Sequence, residues 1–358
     1  MKKDGRVYVC HTYYHVFVSC LKEFNLPKEE QEKADLVLSL MSTDFETFSE
    51  RIGESGIFKN VYSYDEKRED YFPELTKWKK NRGNIVANMF SRIVFTKKFG
   101  KLQSEFVPVD FKKYKDVYVF CDADPIGCYL NCKRIHYHSV EDGLDTLKPF
   151  VPALSDNAGS FGIKKFMSMK LNLIFIRDGY SKYCTDMEVN DKSVIDDEFY
   201  KYKEVPRNEL IDALDEDEKK RIIKAFVRDY DSLERIMSDI NKDKKNIIIL
   251  TEPLTTLDMR ERLVRDLVNE YSKEGTVFLK PHPRDELDYD TLFADCFRFD
   301  RTVPMEILNF FEKTRFDKVV SVYTQLGSVR FAKEKVMLGN EFMDKYEDPS
   351  IHQKIKKL

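Results

Sequence analysis

The stretch Thr276–Asp285 reads T-V-F-L-K-P-H-P-R-D. Val277, Phe278 and Leu279 form a short run of β-type apolar residues, which reads as a buried strand. Pro281 and Pro283 stop that strand, because a proline lacks an N–H and fixes its own φ. His282 therefore stands on a stiff turn at a strand's carboxyl end, where open α/β sheets bind ligands. Lys280, His282 and Arg284 bring cationic and donor groups together there, a set suited to a phosphate. A surface turn with scattered charge is the plainer alternative.

At 358 residues the chain suits two domains of usual size better than one core. Its content of 42% hydrophobic and 13% aromatic residues suffices for packed interiors, and 34% charged residues fit a soluble surface. A net charge of −3 gives no overall pull toward nucleic acid. Seven cysteines include no C-x-x-C pair and read as reduced, buried thiols of a cytosolic protein. The first residues do not form a signal peptide, and no apolar stretch reaches transmembrane length. The expected location is cytoplasmic. Lysine runs such as Lys79-Lys80 leave peripheral contact with the inner face of the cell membrane open.

In chain order, Arg6–Cys10 reads as a first strand, His11–His15 as a turn and Val16–Phe24 as a helix, the usual start of an α/β domain. No Gly-rich fingerprint follows, which argues against a dinucleotide site. Strands are expected at Leu36–Leu40, Val117–Phe120 and Arg134–Val140. Asn208–Ile240 reads as one long amphipathic helix. A second unit follows, with strands at Asn246–Leu250, Val277–Leu279 and Lys318–Val322 and a helix at Ser328–Ala332. The expected division is an acceptor-side domain at 1–189, a linker at 190–207, a nucleotide-sugar domain at 208–340 and a tail at 341–358. Two Rossmann-like α/β domains of this kind, facing across a cleft, describe the GT-B architecture.

Other strand ends carry chemistry. Glu141-Asp142-Gly143 places two adjacent carboxylates on opposite faces, so one serves chemistry while the other ties down the loop. A carboxylate so placed can act as general base toward a sugar hydroxyl. Ser321-Val322-Tyr323-Thr324-Gln325-Leu326-Gly327-Ser328 is a hydroxyl-rich loop expected to enter a helix, where an anion is favoured. Helix capping by Thr324 or Ser328 is compatible with that. Thr251-Glu252 ends another strand, where Glu252 could hold a ribose, and Asp258 is a second candidate base. Asp122-Ala123-Asp124 has the D-x-D form of a metal site, but Pro125 after it favours a turn and helix cap.

Together, E-D-G, K-P-H-P-R and S-V-Y-T-Q-L-G-S resemble the motifs of bacterial sialyltransferases. The opening V-Y-V-C-H-T-Y-Y-H-V-F-V-S, the block Ser181–Thr185 and I-L-T-E-P-L resemble glycosyltransferase family 52, the lipooligosaccharide and capsule sialyltransferase group. The resemblance implies a GT-B-like fold, CMP-N-acetylneuraminate as donor, a cell-surface glycan as acceptor, inversion, no cofactor and no metal. It implies Asp142 as base, Glu141 beside it, and His282 stabilising or protonating the CMP phosphate. Lys280, Pro283, Arg284, Thr251, Glu252, Ser321, Tyr323, Thr324, Gln325, Gly327 and Ser328 fall on the donor side. His11, Thr12, Tyr13 and Gly143 fall on the acceptor side. Where the family's T-E-P-L is expected to lead into an acidic pair, this chain has T-T-L-D, leaving Asp258 for that role. A homodimer is open to such a protein. A GT-B transferase using another nucleotide sugar, in capsule or teichoic-type polymer synthesis, is the alternative enzyme. A sugar-nucleotide-binding scaffold of the capsule machinery is the non-enzymatic alternative.

Overall fold

A computed structural model describes residues 5–45, 47–143, 147, 151–238, 240, 244–311 and 316–352. The chain divides into two compact units, Met1–Leu214 and Asp215–Leu358.

The first unit is built on β1 (Arg6–Cys10), β2 (Asp35–Ser39), β3 (Asn60–Tyr64), β4 (Asp116–Phe120), β5 (Tyr137–Val140), β6 (Cys184–Val189) and β7 (Tyr202–Glu204). Their order is β3-β2-β1-β4-β5-β6-β7, every pair parallel. Every residue of β1 and β2 is buried, as expected of parallel strands covered on both faces. The strand order reverses between β1 and β4, so the connections leaving those two carboxyl ends diverge and leave a crevice.

Four helices of this unit matter below: α1 (Tyr13–Phe24), α2 (Ile85–Leu102), α3 (Pro125–Lys133) and α4 (Phe161–Met169). Thr12 caps α1 by accepting from the His15 N–H at 3.3 Å. At the other end of α1, Glu23 accepts from Arg6 Nε and from Tyr8 Oη, both at 2.8 Å, which ties the helix to β1. Gly127 lets α3 approach the preceding turn: a Cβ there would lie 1.9 Å from the Asp122 carbonyl oxygen.

The second unit holds β8 (Lys245–Leu250), β9 (Gly275–Lys280), β10 (Phe297–Arg298), β11 (Phe316–Ser321) and β12 (Ala332–Met337). The order is β10-β9-β8-β11-β12, again all parallel, and it reverses between β8 and β11. This is a pair of Rossmann-like α/β units, a GT-B-like fold. No helix among the described residues is long and apolar enough to cross a membrane.

Several expectations change. The stretch 190–207 is not a free linker: it carries the edge strand β7, and the units divide at Leu214/Asp215. The long helix expected over Asn208–Ile240 is three pieces, Arg207–Asp212, α5 (Glu216–Phe226) and α6 (Tyr230–Ser238). A capping box between Asp215 and Glu218 starts a new helix where continuity was expected. Arg134, at φ 58°, ends α3 in the left-handed region, so β5 begins only at Tyr137. After Ser321 the chain makes a turn into the edge strand β12, so no helix forms at Ser328–Ala332.

Candidate active site

The crevice of the first unit is lined by side chains from four strand ends. His11 follows β1, Glu66 follows β3, Cys121 and Asp124 follow β4, and Asp142 follows β5. His15 joins them from the first turn of α1 and is fully buried. His15 Nδ1 accepts the backbone N–H of His11 at 3.0 Å, which places the ring's proton on Nε2. Nε2 then donates to Asp142 Oδ1 at 2.6 Å and lies 2.9 Å from the Asp142 carbonyl oxygen. Phe120 stacks on the other side of the ring, with centroids 4.6 Å apart.

Burial outweighs the Asp142 hydrogen bond and lowers the His15 pKa. Burial pushes Asp142 the other way, but the hydrogen bonds from His15 and Cys121 hold it well below the usual carboxylate range. Both directions describe one state, a neutral imidazole donating to a carboxylate ion. The Asp142 side chain is 47% exposed, so the ion held by a buried histidine still faces solvent.

His11 is anchored differently. Its Nε2 lies 2.8 Å from Glu66 Oε2 and 3.3 Å from Asp124 Oδ2, while its buried Nδ1 has no hydrogen-bond partner among the described residues. Burial lowers its pKa, but Glu66 and Asp124 together raise it further. Glu66 also accepts from Ser39 Oγ at 2.7 Å and from the Ile126 N–H at 2.6 Å, joining β2, β3 and the first turn of α3. Burial, opposed by His11 and reinforced by Glu66 and Asp142, pushes Asp124 up to about 6.

The two carboxylates of D-x-D diverge. Asp122 is buried and accepts from Tyr137 Oη at 3.0 Å and from the Asp178 N–H at 2.9 Å. A different trio could hold a cation: ligand atoms of His15, Cys121 and Asp142 lie within 4.8 Å of one another. Burial pushes the Cys121 thiol well up, so an ion there would have to displace a thiol proton as well as the His15–Asp142 hydrogen bond.

Glu141 is buried, and its Oε2 accepts from the Asn190 N–H at 2.7 Å, tying the loop to the end of β6. Gly143 ends the described stretch after β5, and Asp145 lies outside the described residues. Thr12 is the α1 cap. Tyr13 is buried against the rings of Phe45 and Phe48, at 5.3 and 5.0 Å, so its ring belongs to the core and not to an acceptor site.

The second unit repeats the geometry at β8 and β11. His282 Nδ1 accepts the Arg284 N–H at 3.1 Å, leaving Nε2–H as its donor. Burial, with the charges of Arg284 and Lys280, lowers its pKa to about 4. The turn is set by Asp285, which takes Arg260 Nη1 at 2.7 Å and Tyr289 Oη at 2.8 Å. Arg260 lies on α7 (Leu257–Tyr271) and also donates to the carbonyls of Leu254 and Thr255.

Three donor-side expectations change here. Lys280 is buried, and its Nζ donates to the carbonyls of Pro281 at 2.8 Å and Arg301 at 3.3 Å. Burial lowers it to about 8 against the pull of Asp300 and Glu306. Glu252 does not stand free for a ribose. Its carboxylate takes the N–H groups of Tyr323 and Thr324 and the Thr324 hydroxyl. Ser321 is fully buried and donates to the Thr324 carbonyl at 2.9 Å, so its hydroxyl proton is used inside the loop and that of Thr324 is used by Glu252. Ser328 Oγ is buried without a hydrogen-bond partner among the described residues, while Gln325 and Gly327 are exposed. Pro283 and Arg284 follow His282, with Arg284 exposed. Thr251 is buried, and its Oγ1 accepts the backbone N–H of His282 at 3.4 Å. Asp258 is exposed on the first turn of α7.

The sequence offered little sign of His15, Glu66 or Glu306. The i, i+4 spacing of His11 and His15 in H-T-Y-Y-H was a usable signal for the first. Glu306 is buried on a short 3-10 helix, and burial, partly opposed by Lys280, pushes it up to about 7. An acid inside P-M-E-I-L was the only mark of it.

The family model of glycosyltransferase family 52 matches residues 57–336. The chain belongs to glycosyltransferase family 52. An uncharacterized protein of Haemophilus influenzae is 31% identical over 94 residues, which are 25% of this chain and 30% of that protein. Among solved structures, the α/β-galactoside α-2,3-sialyltransferase of Photobacterium phosphoreum superposes with a TM-score of 0.53 at 13% identity, covering 94% of this chain and 91% of that one. The sialyltransferase of Photobacterium damsela gives 0.52 at 12% identity, covering 94% and 74%. At such identities these likenesses concern the fold.

The depressed His282 pKa carries a sign for stability. The folded state keeps the imidazole neutral, while the unfolded chain protonates it near 6.5. Stability from His282 is therefore present above pH 6.5 and lost as pH falls toward 4. Its ring resonances should titrate near 4 by NMR, and His282→Gln should flatten the acid-side fall of the urea midpoint. A ring titrating at 6.5 with no change in that fall would contradict the burial argument.

Proposed function

We propose that this family 52 glycosyltransferase transfers a sialic acid from its CMP-activated form to a hydroxyl of a cell-surface glycan, with inversion. The observation that carries the proposal is the buried His15 holding Asp142 as an oriented, solvent-facing carboxylate at the strand reversal of the first unit. Departure of CMP from a tertiary anomeric carbon gives an oxocarbenium-like transition state. The reaction then needs a base toward the acceptor hydroxyl and charge relief at one departing phosphate.

Asp142 takes the first role. Oδ1 is held by His15, which orients the carboxylate toward an acceptor hydroxyl. Its low pKa keeps it ionised in the resting enzyme, and desolvation by a bound acceptor raises its basicity. His282 takes the second role. Its Nε2–H is a neutral donor in the resting state, and the second negative charge that develops on the phosphate as CMP departs draws its pKa upward. Arg284 adds an exposed cation beside it. The single phosphate of CMP is why no metal is required in this scheme.

One observation favours a second assignment of the base. Asp124 has a pKa near 6, closer to working pH than Asp142, and its side chain is 25% exposed. Asp142→Asn should lower transfer by about 100-fold with CMP affinity unchanged, and Asp124→Asn by less than about tenfold. The reverse ranking would move the base to Asp124.

The nucleotide is tested by thermal shift. CMP should raise the melting temperature, whereas stabilisation by UDP or GDP alone would point to another sugar nucleotide, and silence from all three to a scaffold. Transfer should persist in EDTA. Loss that manganese or magnesium restores would place a cation in the mechanism.

A further inference from the structure

One sequence motif has no part in either strand-end site. The block Ser181-Lys182-Tyr183-Cys184-Thr185 leads into the amino end of β6, at the sheet edge opposite Asp142. β5 and β6 are 4 and 6 residues long, so the two edges stand about 15 Å apart. A pocket of about 450 Å³ opens there. Its lining comes from the amino ends of three adjacent strands: His136 before β5, Cys184 and Thr185 in β6, and Tyr200 and Lys201 before β7. Lys182 and the end of α4, with Met169 and Lys170, complete it. Met169 packs with Met89 and Ile93 of α2 on one core cluster, which fixes that end of the helix.

The block is built into this pocket. Ser181 is fully buried, and its Oγ donates to Asn131 Oδ1 at 2.8 Å, which pins the block to α3. Tyr183 sets its ring edge-on to His136, with centroids 5.4 Å apart. Cys184 is a neutral thiol, because burial pushes its pKa well up. The charge is one-signed. No carboxylate lines the pocket, and Lys170, Lys182 and Lys201 have no ion-pair partner among the described residues. Lys182 Nζ donates to the Lys170 carbonyl at 2.9 Å, and Lys201 Nζ to the carbonyls of Ser181, at 2.9 Å, and Cys184. Carbonyls thus hold two ammonium groups in place without cancelling their charge. Burial lowers the Lys201 pKa; Asp122 and Asp186 oppose this, and Lys170 adds to it. Those two acids are held elsewhere, Asp122 by Tyr137 and the Asp178 N–H, Asp186 by His138. Like charges fixed together in this way are offset by an anion. Beside them Tyr200 is 75% exposed, its ring edge-on to Phe199 with centroids 5.1 Å apart. The open face of such a ring can take the C–H face of a sugar.

We propose that this pocket binds an anionic sugar, with its phosphate or carboxylate between the lysines and its ring on Tyr200. The volume is that of a small-molecule site. The site gives a glycosyltransferase a second hold on a charged glycan, remote from the crevice. The inference stands apart from the donor and base assignments, because none of these residues belongs to either strand-end site.

The test is calorimetric titration of the full chain with glucose 6-phosphate, glucuronate, inorganic phosphate and glucose. The two charged sugars should bind with a Kd of about 1 mM or below, at least about tenfold tighter than glucose. Lys170→Glu with Lys182→Glu should weaken both by about tenfold or more. Both side chains are exposed, so the melting curve should not change. Tyr200→Ala should weaken the charged sugars by about threefold or more and leave inorganic phosphate unaffected. Asp142→Asn and His282→Gln should bind the charged sugars as the wild type does, which separates this pocket from the crevice. No binding of the charged sugars, binding no tighter than that of glucose, or binding that survives the lysine reversal would overturn the proposal. So would loss of that binding in the Asp142 or His282 variants. Inorganic phosphate binding as tightly as glucose 6-phosphate would overturn the sugar assignment.

Discussion

A parallel sheet whose strand order reverses leaves its point of reversal uncovered. The connections from the two central strands depart to opposite faces, and the gap between their carboxyl ends stays open. Both units of this chain have that geometry, at β1/β4 and at β8/β11. His11 and Cys121 stand at the first reversal, Thr251 and Tyr323 at the second. The polar clusters are gathered by topology before any side chain is chosen. Burial of the flanking strands then makes each polar group there expensive unless it is paired.

The pairing is local and dense. In the first unit Glu66 collects three donors from β1, β2 and α3 ends, which lets a carboxylate remain buried. In the second, the Arg260–Asp285 pair is buried, Arg260 also donates to two backbone carbonyls, and Asp285 also accepts from Tyr289 and the Leu287 N–H. Such pairs specify a geometry more than they add net stability, since desolvation offsets much of the Coulomb attraction. What they specify is the path of the loops that carry His282 and Asp124.

Most of the sheet was legible in the sequence because parallel strands read as apolar runs and proline ends them sharply. Val277–Leu279 before Pro281 is the clearest case. The site was legible only where a motif sat on a strand end, as with Asp142 and His282. His15 was hidden on a helix, and Glu66 lay in an acidic stretch without pattern. The edge strand β12 was not read from the sequence because A-K-E-K-V-M lacks an apolar run, and the helix expected over Ser328–Ala332 reaches only its first residue. Its middle is exposed and charged, as suits a strand that must not pair further. The capping box at Asp215 was present in the sequence, but a continuous apolar stripe masked it.

Glu252 changes what it means for the β11 loop to take up an anion. The amides of Tyr323 and Thr324 already enclose a carboxylate, so the cradle is occupied by the protein's own charge. A phosphate reaching those amides would have to substitute one anion for another, and only the difference between their interactions would count toward affinity. The loop is thus a fixed wall toward weak anions, and selectivity is set by displacement, not by attraction alone.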